Sequence, residues 1–346
     1  MIKFVNFVLR EITRQGGSDL LGTTSHRDNV SPSLLKSWDT FYGQPATDAI
    51  VDQFMTEPPL ELSTSVNPKE LAPTFGEEAI VLPHGTVRIG TGHGLVSSLP
   101  GYDEGTWWVQ SASAAVPALV LSAYLSRRTD GNGASAAGPT HVVDVCAAPG
   151  GKTAQLVSER RIGRVTAVER SARRSRRLRE NLDRLRMADR CAVVVEDGTE
   201  WTPPSSEGGG GDVVHGVLLD VPCSATGTAA RRPDVLWTGG ATPDELLDTQ
   251  LKLARHCLEN ILGSGGVLVY ATCSLQKEEG EYQILKLLKE LNEQGTIVKT
   301  SPIENNEIPG FDDAIDENGW LRVVPGQIEG DLGMVDGFFV ARLVKL

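Results

Sequence analysis

The sequence predicts an α/β protein whose C-terminal two thirds form a doubly wound, mostly parallel sheet, preceded by a small α+β subdomain. From residue 112 onward, short apolar runs alternate with amphipathic stretches of helical length, which is typical of strand–helix–strand units. Between residues 70 and 112, short runs are broken by Gly and Pro instead. We therefore expect three parts: a helix and linker (1–30), the small subdomain (31–111) and the domain that contains the sheet (112–346).

The N-terminal elements are few. Residues 1–15 predict an amphipathic helix, since their apolar stretch is broken and lacks the small-residue cleavage site of a signal peptide. A polar stretch at 16–33 predicts a linker, 33–43 a short helix, and 56–68 a strand that enters a turn. No apolar run approaches the roughly 20 residues of a membrane span, and 40% hydrophobic with 23% charged residues is an ordinary globular composition.

The elements of the larger domain alternate. The predicted strands are 141–146, 163–169, 191–197, 216–221, 265–273 and 336–346, and the predicted helices are 111–128, 169–187, 242–262 and 277–292. Glycine-rich stretches at 129–140 and 203–211 predict surface loops. Thr242, Pro243 and Glu245 predict a capped start for the third of these helices. Ligands bind beyond the carboxyl ends of the strands in such a sheet, so the residues that follow the strands are the candidates for function.

Charge is distributed unevenly. The chain has a net charge of −12, but residues 155–190 contain twelve arginines and five acids, a local charge of +7. A solvated outer helix face is one interpretation of this segment, and it is the one that charge alone favours. The other is a phosphate-facing stripe on an otherwise acidic protein. We expect the helix to pack on the outer side of the sheet, away from nucleic acid.

A glycine-containing turn follows the first strand of the larger domain. The stretch DVCAAPGGKTAQL (144–156) is neither a P-loop nor a GxGxxG motif, but its small residues and its helix start suit a nucleotide-like ligand. Glu169 ends the second strand, where an acid binds ribose hydroxyls, and Asp197 ends the third, where an acid binds an adenine amino group. The three features in order predict the S-adenosylmethionine (SAM) site of a Rossmann-type methyltransferase.

Cysteines follow the strands that carry the substrate chemistry. Cys223 comes after Asp220-Val221-Pro222, and Cys273 ends the run VLVYATC, so both are expected at the same sheet edge as Cys146. A thiol there suits carbon methylation, because C5 of a pyrimidine is not nucleophilic until a thiolate adds at C6. The five cysteines have no metal-ligand spacing, so we expect free thiols, a reducing compartment and no metal. Cys191 and Cys257 are expected to be buried packing residues.

Several motifs together resemble the Sun/RsmB family of RNA cytosine-5 methyltransferases, nearest to its bacterial 16S ribosomal RNA branch. They are DVCAAPGGKT (144–153), LLDVPCSATG (218–227) with RRPDVLW (231–237), YATCSLQKEEGE (270–281) and DGFFVARL (336–343). The resemblance implies that Cys273 is the nucleophile that adds to C6, that Cys223 helps to release the product, and that Asp220 contacts ring N3. It implies SAM binding by Cys146, Ala147, Ala148, Pro149, Gly150, Gly151, Lys152, Glu169, Asp197 and Asp220.

The resemblance also carries expectations about partners and compartment. It implies 5-methylcytosine formation in ribosomal RNA. Nothing in the sequence indicates an oligomer, so we expect a monomer with no membrane or metal partner. The cysteine usage fits the cytoplasm, and the low-complexity loops leave an organelle of a eukaryote open. Residues 4–15 resemble the last helix of a NusB-like RNA-binding domain, so 1–30 is interpreted as its remnant, left by truncation or by loss in a lineage. Two departures stand out: Gln110-Ser111 replaces Gln-Asp, and LELSTSVN (60–67) lacks the family's arginine.

Other functions stay open. A tRNA cytosine-5 methyltransferase would carry the same motifs, and an RNA-binding assembly factor of weak activity would keep the fold. A DNA cytosine-5 methyltransferase would use Cys223 as its nucleophile, which the T-C-S motif at Cys273 disfavours.

Overall fold

The computed structural model describes residues 2–17, 22, 24–127, 140–204, 213–238 and 242–346. Its helices are α1 (Ile2–Arg14), α2 (Pro32–Tyr42), α3 (Gln44–Phe54), α4 (Pro68–Leu71), α5 (Ala112–Ser126), α6 (Gly151–Ser158), α7 (Ala172–Arg184), α8 (Val235–Thr238), α9 (Asp244–His256) and α10 (Glu281–Glu293). Its strands are β1 (Leu60–Thr64), β2 (Ile80–Val81), β3 (Val87–Ile89), β4 (Trp107–Val109), β5 (Thr140–Val145), β6 (Ile162–Val168), β7 (Cys191–Val194), β8 (Val214–Asp220), β9 (Val267–Thr272), β10 (Val298–Thr300), β11 (Leu321–Val323) and β12 (Phe338–Lys345). The predicted loops at 129–140 and 203–211 lie largely outside the described residues.

An eight-stranded sheet forms the larger part, in the order β10-β12-β9-β8-β5-β6-β7, with β11 paired to β12. The five strands from β9 to β7 run parallel, whereas β12 is antiparallel to β9. The predicted doubly wound, mostly parallel sheet is therefore confirmed. Strand order reverses between β5 and β8, and the crevice at such a reversal is where ligands bind in this class of sheet.

Both faces of the sheet are covered, which explains why its strands read as continuous apolar runs. Along β5, Val142 belongs to the core that contains the buried side chains of α5, α6 and α7. Its neighbour Val143 belongs to a second core, with the buried side chains of α9 and α10. This alternation is the period-two pattern of a strand that buries both of its faces. No helix among the described residues is long and apolar enough to cross a membrane.

A second, antiparallel sheet has the order β2-β3-β1-β4. Helices α2 and α3 pack in a separate hydrophobic core. This core also contains Leu236 from the segment after β8 and Leu275 from the segment after β9. Trp38 Nε1 donates to Gln276 Oε1 at 2.8 Å, and the Tyr42 hydroxyl donates to the carbonyl of Leu275 at 2.6 Å. The N-terminal helices therefore support the loops at the carboxyl edge of the large sheet. The domain boundaries at residues 30 and 111 stay a prediction.

Two local expectations were wrong. Helix α9 begins at Asp244 with Pro243 as its N-cap, and the Thr242 hydroxyl does not cap the helix, because it donates to Glu279 Oε1 at 3.1 Å. Cys257 is fully buried as expected, but Cys191 is partly exposed, since β7 is an edge strand of the sheet.

A buried ion pair yields a prediction about stability. Arg342 in β12 is 1% exposed and donates to the two carboxylate oxygens of Glu307 at 2.8 and 2.9 Å. Loss of the Glu307 charge leaves a buried guanidinium unpaired, so we expect Glu307→Gln to lower the free energy of unfolding by about 3 kcal/mol. Urea denaturation would measure the change, with Glu329→Gln at an exposed position as the control. Equal stability of the two variants would contradict the prediction.

Candidate active site

The carboxyl ends of β8 and β9 bring the two predicted thiols together. The strands pair in parallel with Asp220 opposite Ala271, so the residues that follow each strand emerge side by side. The Sγ atoms of Cys223 and Cys273 lie 3.4 Å apart, and both side chains are partly exposed. Of the sequence-predicted site residues, these two are in direct contact, as are Lys152 and Asp220.

The two thiols titrate as a pair. The hydrogen bond from Cys273 lowers the pKa of Cys223, and the same bond raises the pKa of Cys273 well above its ordinary value. The Thr272 hydroxyl also favours the Cys223 thiolate. Because two adjacent thiolates repel each other, the second thiol of the pair is harder to deprotonate once the first has lost its proton. Such a pair offers one nucleophile and one proton carrier at the same point.

A cation lies beside the thiols. Lys152 Nζ donates to Asp220 Oδ2 at 2.8 Å and lies 5.2 Å from the centroid of the Phe338 ring. Burial opposes its charged form, but the attraction and hydrogen bond of Asp220 outweigh burial and raise the pKa of Lys152. The lysine therefore stays protonated, and its charge favours the thiolate form of Cys273. The resemblance assigned Lys152 to the cofactor loop only, since its pairing with Asp220 spans 68 positions of sequence.

A fully buried carboxylate, Glu279, connects the two cysteine loops. It accepts hydrogen bonds from the backbone N of Ser224 at 3.0 Å and from the Ser224 and Ser274 hydroxyls at 2.5 and 2.7 Å. Gln250 Nε2 and the Thr242 hydroxyl donate to it at 2.9 and 3.1 Å. Ser224 follows Cys223 and Ser274 follows Cys273, so this one side chain fixes both thiols. Sequence reasoning missed it, although it lies within the KEEGE run of a motif.

The loop after β5 borders a cleft of ≈190 Å³ beside Asp220. The cleft is lined by Val109, Gln110, Ala114, Asp144, Cys146, Ala147, Ala148, Pro149, Gly151, Lys152 and Asp220. Six of the seven predicted loop residues are among them. The seventh, Gly150, has φ +103 and lies so close to Leu178 that a Cβ would overlap it. Glycine at this position therefore allows the turn to pack against α7.

Asp144, which sequence reasoning did not select, has a distinct environment in this cleft. Its Oδ2 accepts from the Thr153 hydroxyl at 2.5 Å, whereas its buried Oδ1 has no hydrogen-bond partner among the described residues. Burial raises the pKa of Asp144 to about 7 against the opposing effects of Thr153 and Lys152. An unpartnered, buried carboxylate oxygen is a site for a cation or a hydrogen-bond donor.

The two predicted acids beyond the loop are not among the residues that line this cleft. Glu169 is buried and accepts from the backbone N of Ala148 at 3.4 Å and of Ser171 at 2.9 Å, with Arg174 at 3.2 Å. Asp197 lies three residues beyond the end of β7, where the backbone and hydroxyl of Thr199 lower its pKa. Glu169 thus touches the loop, and Asp197 forms a turn. Within the described ranges, no group of three or more His, Cys, Asp or Glu side chains could hold a metal ion.

Comparisons with known proteins identify the family of this chain. The profile of the family described as 16S rRNA methyltransferase RsmB/F matches residues 136–344. The ribosomal RNA small subunit methyltransferase B of Sodalis glossinidius is 31% identical over 358 residues, or 99% of this chain and 72% of that protein. The probable enzyme of that name from Synechocystis sp. is 30% identical over 367 residues, or 99% and 74%.

Solved structures share the fold. NSun6 from Pyrococcus horikoshii, with SFG, superposes with a TM-score of 0.68 at 18% identity and covers 92% of this chain and 99% of its own. A methyltransferase homolog from the same organism gives a TM-score of 0.63 at 23% identity, covering 92% and 100%. From the family match and the curated relatives, we conclude that this chain belongs to the RsmB/F family of 16S rRNA methyltransferases.

Proposed function

We propose that this protein methylates C5 of a cytosine in small-subunit ribosomal RNA through a covalent bond between Cys273 and C6 of the base. The observation that carries the proposal is the 3.4 Å contact of Cys223 and Cys273 at the carboxyl edge of the sheet. The two thiols in contact, together with the paired Lys152 ammonium and Asp220 carboxylate, supply the nucleophile, the proton carrier and the charge stabilisation that this reaction requires. The choice of RNA is supported by the names of the curated relatives.

The cofactor of this family, SAM, fits the cleft beside the loop after β5. The test of fit is Asp144, whose unpartnered Oδ1 can accept from the ammonium group of the methionine part of SAM. Residues 146–149 and 151 offer close backbone approach on the same wall of the cleft. When bound, SAM supplies an electrophilic methyl group, which no side chain of the protein can provide.

In the first half of the mechanism, Cys273 and Asp220 activate the cytosine ring. The Cys273 thiolate adds to C6, so that a sulfur–carbon bond forms and the C5–C6 π electrons move toward C5 and the ring. Asp220 contacts N3, and the Lys152 ammonium, 2.8 Å from Asp220 Oδ2, supplies through that carboxylate the proton that N3 takes up as charge develops on the ring. The target cytosine must leave the base stack of the RNA to reach these groups. C5 thereby becomes nucleophilic enough to accept a methyl group.

In the second half of the mechanism, Cys223 acts as the base that releases the methylated product. Bond formation at C6 removes the negative charge of Cys273, so Cys223 can release the proton it received to water. Once C5 carries both a methyl group and its original proton, the Cys223 thiolate takes that proton. The C5–H electrons restore the C5–C6 double bond, and the electrons of the sulfur–carbon bond return to Cys273. N3 returns its proton through Asp220 to Lys152, and the 3.4 Å contact lets the two sulfurs share the proton that Cys223 has taken from C5.

One observation favours exchanged roles for the thiols. In the free pair it is the pKa of Cys223 that is lowered, so Cys223 is the more readily formed thiolate. Under the proposed assignment, the Cys273 proton must first cross to Cys223, and the nearby Lys152 charge favours that transfer. The second candidate mechanism, with Cys223 as nucleophile, makes an opposite prediction for adduct formation.

Binding of SAM is expected to weaken as pH falls below about 7. The pKa of Asp144 is raised to about 7, so the carboxylate that attracts a cation is present above that pH and lost below it. We expect the dissociation constant for SAM to rise by up to about tenfold per pH unit below 7. Calorimetric titration at several pH values would measure the dissociation constant. Asp144→Asn should remove its pH dependence, whereas Asp244→Asn, at an exposed position, should keep it. If the dissociation constant of Asp144→Asn changed with pH as steeply as that of the unsubstituted protein, Asp144 would not be the partner of the SAM ammonium group.

The proposed function is tested by incubating the protein with small-subunit ribosomal RNA and SAM that carries a labelled methyl group. We expect label in RNA, and nuclease digestion with mass spectrometry should identify it as 5-methylcytosine. Cys273→Ala serves as the control for carry-over of another enzyme. Label at an exocyclic nitrogen or a ribose oxygen would refute the proposed chemistry, and label in tRNA alone would refute the proposed substrate.

A further inference from the structure

Helix α7 presents a row of arginines without partners. Arg173, Arg176 and Arg177 are exposed, and within the described part of the chain none of them makes an ion pair or hydrogen bond. The buried face of the helix is formed by Ser175, Leu178 and Leu182. The arginine face is therefore not required for packing of the helix.

Other arginines of the same helix have structural contacts. Arg174 pairs with Glu169 at 3.2 Å, Arg179 donates to the carbonyl of Val193 at 3.0 Å, and Arg184 donates to the carbonyls of Tyr102 and Trp107. The helix thus contains two sets of arginines, one that holds neighbouring segments and one that faces solvent. Only the solvent-facing set lacks an explanation in the fold.

Without a bound anion, this arrangement of arginines lowers the stability of helix α7. Arg173 lies three and four positions before Arg176 and Arg177, and like charges at that spacing destabilise a helix. The first turn of α7 contains no acid, although an acid there would stabilise the helix dipole. Both effects are relieved by an anion that binds outside the helix. Helix α7 has six arginines and two acids, a charge of +4, within a chain of −12, which makes this helix the place where a polyanion would bind.

The position of the row favours the substrate as that polyanion. Helix α7 starts directly after β6, so its first turns lie at the carboxyl edge of the sheet, the edge that carries both thiols. Arg174 and Asn181 contact the carbonyls of Ala148 and Pro149 in the loop that borders the cleft. The acids Glu180 and Asp183 occupy the far half of the helix, so positive charge is concentrated toward the site.

In place of the expectation that this helix lies away from nucleic acid, we propose that Arg173, Arg176 and Arg177 bind the phosphate backbone of the RNA substrate outside the target nucleotide. The inference rests on the proposed function and extends the substrate-contacting surface from the thiols, past the loop at 146–152, to α7. Phosphate contacts of this kind position an RNA without reading its sequence. The helix then contributes affinity and orientation, and the chemistry stays with the cysteines.

The test compares two triple variants of the full chain in RNA binding. Arg173→Ala/Arg176→Ala/Arg177→Ala removes three charges from α7, and Lys252→Ala/Lys286→Ala/Lys289→Ala removes three exposed charges from α9 and α10 on the opposite face. Filter binding of a small-subunit ribosomal RNA transcript over a range of salt concentrations gives the dissociation constant and its salt dependence. We expect the arginine variant to bind about 10- to 100-fold more weakly at low salt, with its salt slope reduced by roughly 2–3.

Two further measurements distinguish a loss of RNA contacts at α7 from a loss of folded protein. Melting temperature should stay the same or rise in the arginine variant, because repulsion is removed. With a short RNA hairpin that cannot reach α7, binding should match that of the unsubstituted protein. Unchanged binding of the long transcript, or an equal loss in the lysine variant, would overturn the proposal. Since binding is measured without SAM, a failure of methylation itself would be seen separately in the labelling assay.

Discussion

Replacement of Cys273 by alanine is expected to lower methyl transfer by about four to six orders of magnitude, whereas Cys223→Ala is expected to accumulate a covalent RNA–protein adduct. The first effect follows because a lost nucleophile leaves only binding and electrostatic contributions to the rate. The second follows because Cys223 is the thiol in contact with the nucleophile and can accept the C5 proton. Without that base, the sulfur–carbon bond forms but is not released.

A denaturing gel after incubation with SAM and ribosomal RNA measures both results. Cys223→Ala should show a slowly migrating band that ribonuclease removes, and Cys273→Ala should show none. Cys257→Ala, at a fully buried cysteine that directly follows α9, controls for the loss of any thiol. The reverse pattern would make Cys223 the nucleophile, in line with its lowered pKa, and would refute the proposed roles.

The fold could be predicted from sequence where apolar runs alternate with amphipathic helices. Strands β5, β6, β8 and β9 are buried on both faces, so their sequences mark them without ambiguity. Helix α3 was missed, since its buried side chains are scattered among polar residues and its partners lie after β8 and β9. Strands β10 and β11 have three residues each, too few to show a period.

The candidate site was predicted in its residue types but not in its connections. Position at strand ends was enough to place Cys223, Cys273 and Asp220 at one edge, because parallel strands share that edge. The Lys152–Asp220 pair and the unpartnered Asp144 depend on tertiary contacts that no spacing reveals. The ribose and adenine assignments of Glu169 and Asp197 stay predictions.

Glu279 is the residue for which structure adds most to sequence, and its substitution should have the second-largest effect. Its carboxylate accepts five hydrogen bonds, among them those from Ser224 and Ser274, the residues next to the two thiols. Glu279→Gln replaces one acceptor oxygen with an amide donor that faces other donors. The loops must then shift, and a displacement of about 1 Å can cost about 100-fold in rate.

We therefore expect Glu279→Gln to lower kcat by about 100-fold or more with little change in the KM for SAM, since the carboxylate does not line the cleft. A positioning role also predicts a change that lost stability alone would not produce. The oxidant diamide should join Cys223 and Cys273 rapidly in the unsubstituted protein, where the sulfurs are 3.4 Å apart, and more slowly in Glu279→Gln below its melting temperature. Glu293→Gln, at an exposed position at the end of α10, is the control. Equal rates of disulfide formation in a slow Glu279→Gln enzyme would show that the carboxylate acts by some means other than fixing the thiols.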